Sequence, residues 1–231
     1  MRSSPARLTS AAATLLAVAV PLAGAADGAP TRTSADEAPC RGGWSTTGAA
    51  RTRALTREGL RLHIDVPRAS PECTEAIEAQ VGTEMLRLFR ETAARGSSGD
   101  ASCHLGHAAS NALSWRCNAR WREGGPDTQS AAIFGLSARA ASRGVAFEPP
   151  FVGCSGDARH ALVEQAIAAL PPRLRPALEV AARDLGGRIG TYREGASLFV
   201  TFGPALPHEG PESTVARLPF ERYASLCGRR E

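Results

Sequence analysis

Apolar and polar positions alternate without a break from residue 60: Leu60, Leu62, Ile64 and Val66 against Arg61, His63 and Asp65. A period of two predicts a strand with one wet face. Arg57-Glu58-Gly59 before it reads as the turn of a hairpin whose first strand lies around residues 51–55. The period then lengthens. Ile77, Val81, Met85, Leu88 and Phe89 form one helical stripe, with Glu75, Glu78, Arg87 and Arg90 off it. Ser70 is placed to cap this helix and Pro71 to open it, a position where the missing proline N–H costs nothing. The helix is expected to end near Gly96, followed by a small-polar loop over residues 96–101.

Alternation returns over residues 112–122, where Leu113, Trp115, Cys117, Ala119 and Trp121 oppose Ser114, Arg116, Asn118, Arg120 and Arg122. Gly124-Gly125-Pro126-Asp127 predicts a turn, residues 130–138 and 144–147 further strands, and Pro149-Pro150 their end. Two helices follow: one after Ser155 to Leu170, with Leu162, Val163, Ala166 and Ile167 inward, and a second, beyond Pro171-Pro172, to about Leu185. The tail reads as strands over 189–192, 198–202 and 215–219, with a last helical turn over 220–226. The predicted class is α+β: mainly antiparallel sheet, one long helix after the first hairpin, and a helical pair before the C-terminal strands.

The N-terminal pattern differs from all of this. Arg2 and Arg7 precede an apolar run from Ala11 to Leu22, and Ala23-Gly24-Ala25 supplies small residues at the signal-peptidase positions. That run is too short and alanine-rich for a membrane span but suits a secretory signal peptide cleaved after Ala25. Residues 1–25 are therefore expected to be removed, 26–39 to form a disordered leader, and 40–231 to form one domain. No later apolar run predicts a span, so the expected location is the periplasm or the medium. Cleavage takes the formal charge from +4 to +2 by removing two arginines. The basic residues are all arginine and are scattered among acids, which argues against a nucleic-acid face.

Export also changes how the six cysteines read, because an even count in an oxidising compartment implies disulfides. Cys103 and Cys117 flank a turn candidate at Ser110-Asn111 and are expected opposite one another on a hairpin. Exclusion and chain order then suggest Cys40–Cys73 and Cys154–Cys227.

Candidate chemistry is sparse. His104 and His107 beside Cys103 would face opposite ways on a regular strand, and no second cluster supports a metal site. Gly153-Cys154-Ser155-Gly156-Asp157 resembles a nucleophile elbow but lacks its last glycine, and Ser155 explains itself as a helix cap with Asp157 in the first turn. His160 sits one turn further along the same helix. The segment 202–211 places His208 and Glu209 between prolines and glycines, a stiff loop of the kind that carries recognition. No cofactor is implied.

Several of these segments resemble the extracellular domain of RsiV-type anti-sigma factors, a domain of unknown function also found beside secreted peptidoglycan deacetylase domains. The resemblance spans about residues 60–226. It is best over 195–223, where a strand ending in Phe202 leads through Pro207-His208-Glu209-Gly210 to Leu218-Pro219-Phe220. It includes the two glycines of 124–128, where the family's His is absent, and Phe147 and Phe151 before the helical pair. The resemblance implies a domain without catalytic activity that binds lysozyme. Cleavage after Ala25 would leave no tether to the cytoplasm, so the anti-sigma role itself is not expected.

The function expected from these observations is a monomeric, non-catalytic binding domain of the bacterial cell envelope. Its partner would be a lysozyme-like protein or peptidoglycan, met through Gly124, Gly125, Asp127, Pro207, His208, Glu209 and Gly210. The alternatives are a small hydrolase using Ser155 or His208, and a structural envelope domain.

Overall fold

A computed structural model describes residues 40, 43–46, 50–122, 129–183, 189–204 and 210–228. The expected signal peptide (1–25) and leader (26–39) lie outside them. The chain is α+β, and its sheets are mostly antiparallel.

The first hairpin joins β1 (Arg51–Arg57) to β2 (Leu60–Val66). Glu58 and Gly59 both take positive φ, 48° and 83°, the twist that a two-residue hairpin turn requires. Helix α1 (Pro71–Thr92) follows; the Ser70 side chain accepts the Cys73 N–H. It stops four residues short of Gly96, because Ala93 is already extended. The loop expected over 96–101 is instead largely strand: β3 (Ser98–Ala109) runs parallel to β2 and antiparallel to β4 (Ala112–Arg122). Its polar start gave no alternation to read. Gly99 fits there because a Cβ would collide with the Arg120 carbonyl on β4. The backbone ladder on both sides outweighs the turn-like composition.

Strands β5 (Gln129–Ala141) and β6 (Gly144–Phe147) continue the large sheet in the order β1-β2-β3-β4-β5-β6, and the short β9 (Gly203–Pro204) also pairs with β5. Helices α2 (Gly156–Ala168) and α3 (Arg175–Arg183) come next, joined through a 3-10 turn at Pro172–Leu174. Strands β7 (Gly190–Glu194) and β8 (Ser197–Thr201) pair with each other, and β10 (Val215–Pro219) pairs with β8. Helix α4 (Phe220–Cys227) closes the described chain, with Gly228 left-handed at its end. No helix among the described residues is long and apolar enough to cross a membrane.

Burial follows from the alternation. Leu60, Leu62, Ile64 and Val66 pack with Leu113, Trp115, Cys117, Ala119 and Trp121 against the α1 stripe. A second core lies between β8, β10 and the helices α2, α3 and α4, with Leu162, Ala166, Val200 and Phe202 at its centre. Three disulfides staple the domain: Cys40–Cys73, Cys103–Cys117 and Cys154–Cys227. Such bonds persist where thiols are oxidised, which fits an extracytoplasmic protein.

The Cys103–Cys117 pair depends on a bulge, because Cys103 stands seven residues before Ser110 and Cys117 only six after Asn111. The turn at Ser110-Asn111 pairs Ala109 with Ala112 and His107 with Ser114. Continued unbroken, that register would set Cys103 against Asn118. A bulge at Gly106 absorbs one residue, so Leu105 meets Trp115 and Cys103 meets Cys117. The bulge also corrects the expectation for the histidines. His104 lies opposite Arg116 and His107 opposite Ser114, so both sit on the same face of the sheet.

A cleft where the two sheets meet

The face of β4 read as wet is wet only at one end. Arg120 and Arg122 are exposed, whereas Ser114 is 3% exposed, because strand β7 lies across the sheet there. Close approach is possible because Gly106 and Gly135 have no side chain there. A Cβ on Gly106 would stand 2.7 Å from the Arg193 carbonyl oxygen, and one on Gly135 would stand 2.7 Å from the Thr191 backbone carbon. Serine hydroxyls take up the β7 backbone groups. The Ser114 hydroxyl donates to the Arg193 carbonyl at 2.9 Å and accepts the Arg193 N–H at 3.0 Å. The Ser137 hydroxyl donates to the Thr191 carbonyl at 2.9 Å. These two serines pair directly across β4 and β5.

Beyond this crossing the layers part, leaving a cleft of about 430 Å³, within the size range of small-molecule sites. Its floor is formed by Ser114 and Ser137. One wall is the β3–β4 turn. The other is the turn after Pro149-Pro150 together with α4. Phe151 lies behind that wall, packed into the second core. It is 2% exposed and has φ of +56°, a left-handed conformation that a bulky side chain adopts only under constraint. The constraints are visible. The Cys154 N–H donates to the Phe151 carbonyl at 3.1 Å, the Tyr223 hydroxyl donates to the Val152 carbonyl at 3.1 Å, and Cys154 is tied to Cys227 on α4.

Charge enters the cleft at three places. Arg139 pairs with Glu148 at 2.5 Å on the rim. Arg193 lies over Phe220, its guanidinium carbon 3.8 Å from the ring centroid, while its Nε donates to the Gly195 carbonyl at 2.9 Å. His107 lines the turn side. A second cavity, about 310 Å³, adjoins the first and shares Ser137, Glu148, Pro149 and Thr191 with it.

Beside the sheet junction but outside the cleft, Tyr192 stacks on Phe199 with centroids 4.8 Å apart. Burial pushes the Tyr192 phenol up to about 12; nearby Arg116 opposes the shift, and Glu194 and Glu212 reinforce it.

Of the residues expected to bind a ligand, Gly124, Gly125, Asp127, Pro207, His208 and Glu209 lie outside the described residues. Gly210 is exposed, just before the 3-10 turn at Pro211–Thr214. Pro204 pairs with Ala132, three residues along β5 from Gln129. That is the opposite end of β5 from the cleft, which Arg139 borders. Ser155 is a helix cap, its side chain accepting the Ala158 N–H at 3.2 Å. The exposed His160 contacts Glu164 at 3.1 Å on its own helix. His104 contacts Asp65 at 3.2 Å, and no group of three potential metal ligands gathers among the described residues.

The cleft has no counterpart in the sequence-based expectations. Its wall residues come from six separate segments, and the signal that could have pointed to it is the pair Ser114 and Ser137 on an otherwise charged face. No protein-family model matches the chain, and no curated protein matches it.

Proposed function

We propose that the mature chain is an exported, disulfide-stapled binding domain whose ligand enters the cleft between the two sheets. The observation that carries this reading is the Phe151 turn. A bulky residue is held in a costly backbone conformation, in the turn that sets Pro149 and Val152 along one side of the cleft. Strain of this kind is retained where the surroundings over-determine it, and it clusters at sites that bind or react. Apolar walls with a few fixed polar groups are the usual make-up of a ligand site.

Filling the cleft tests this. Ser110 is exposed on the turn that borders it, so Ser110→Trp places an indole at the mouth without removing a packed side chain. Ligand-observed NMR with a fragment library should give hits on the mature chain that Ser110→Trp loses. Hits that bind both proteins equally would refute the reading.

A protein partner at the far end of β5 is a second reading, supported by the pairing of Pro204 with Ala132 close to Gln129. The described residues next to the two segments singled out in sequence, Gln129 and Pro204, lie near one end of β5. Lysozyme is the first partner to try, following the resemblance. Retention of the mature chain on immobilised lysozyme supports this reading, and no retention at about 50 μM, a concentration that reveals even weak complexes, removes lysozyme as the ligand.

A further inference from the structure

The cleft's charge and shape narrow the class of ligand, an inference that rests on the binding reading above. Two guanidinium groups, Arg139 and Arg193, line the cleft against one carboxylate, Glu148. The lining is therefore positive by one charge with His107 neutral, and by more when His107 is protonated. Glu148 is already engaged by Arg139. Arg193 is held differently. Its guanidinium sits over the Phe220 ring, and it is only partly exposed. A guanidinium over an aromatic ring keeps its charge and its N–H donors. In partly desolvated surroundings that charge acts on an incoming group more strongly than it would in water. The same lining includes Ala109, Ala112, Pro149 and Val152, whose apolar side chains are at least partly exposed.

We propose that the cleft binds an amphipathic anion, its apolar tail or ring against Ala109, Ala112, Pro149 and Val152 and its head group beside Arg193. The geometry favours an anion over a neutral amphipath because the lining carries excess positive charge. It disfavours a cationic one for the same reason.

Three probes of one chain length separate these cases by titration calorimetry on the mature chain: decanoate, decane-1,2-diol and decyltrimethylammonium. Decanoate should bind at least about tenfold more tightly than the diol, the difference expected from one charge-assisted contact, and the ammonium most weakly. Added salt should weaken decanoate binding and leave the diol unchanged. In Arg193→Gln, decanoate should fall to the affinity of the diol while the diol keeps its own, which shows that the cleft is intact. The salt series on the unaltered chain decides the matter if that variant does not fold. Equal binding of decanoate and diol, or a decanoate affinity indifferent to both salt and Arg193→Gln, overturns the anion preference and leaves the binding reading standing. No binding of any probe counts against both.

Discussion

Gly106 lies so close to Arg193 that a single added carbon would stand 2.7 Å from the Arg193 carbonyl oxygen. This contact links two features far apart in sequence, the bulge that brings Cys103 opposite Cys117 and the strand that covers the serine floor of the cleft. Gly106→Ala should therefore destabilise the domain by about 1–3 kcal/mol, the usual cost of forcing a carbon into a filled space, read from urea unfolding at constant slope. Gly156 is the control. A Cβ there meets nothing within 4 Å, so Gly156→Ala at the start of α2 should be neutral or stabilising by up to about 1 kcal/mol.

Ser114 holds the same crossing with its hydroxyl, donating to one backbone group of Arg193 and accepting from the other. Ser114→Ala leaves both without that partner in a buried setting, at a cost of about 1–3 kcal/mol. The Arg193 amide should exchange its hydrogen faster in this variant, while amides of α1 keep their protection. Equal acceleration everywhere would mean that the hydroxyl stabilises the whole domain rather than this crossing.

Much of the fold was legible because single segments carried enough pattern. Residues 112–122, 144–147 and 215–219 begin and end where alternation, glycine and proline put them, and Ser70 caps α1 as its chemistry suggests. The start of β3 was not legible, because Ser98, Gly99 and Asp100 are turn-like residues held in a strand by neighbours on both sides. The cleft was less legible still. Ser114 belongs by alternation to the same polar face as Arg120, and only the arrival of β7, some eighty residues later in the chain, buries one and leaves the other wet. Gly135 likewise shows its purpose only against Thr191.

The disulfides should differ in what they contribute. Cys154–Cys227 closes a separation of 73 residues and Cys103–Cys117 one of 14. In the chain-entropy model these correspond to about 4 and about 3 kcal/mol. Replacing both members of each pair by serine, and comparing unfolding free energies, tests the order. Losing Cys154–Cys227 should also loosen the Phe151 turn, since α4 then no longer anchors it covalently, and amide exchange at residues 151–154 should rise.

Tyr192 offers a check on how tightly the sheets close. Its phenol is pushed up to about 12, first by burial, whereas an unfolded tyrosine ionises near 10. The native state thus holds this proton more firmly than the unfolded state, and stability should fall as pH rises from about 10 to about 12. The absorbance change of phenolate formation should show Tyr192 titrating at about 12, and Tyr192→Phe should remove that step. Ionisation near 10 in the folded protein would mean that water reaches the ring.

The central claim is that the space between the β3–β4 turn, the Phe151 turn and α4 is where this domain takes its ligand. Chemical-shift mapping on the isotope-labelled mature chain, titrated with the tightest-binding hit of the fragment screen, tests it most directly. Shifts concentrated at residues 109–114, 137–139, 148–152 and 193, with those of β1 and α1 unmoved, are the predicted result. Shifts centred instead on residues 129–132 and 210–215, at the other end of β5, would contradict it.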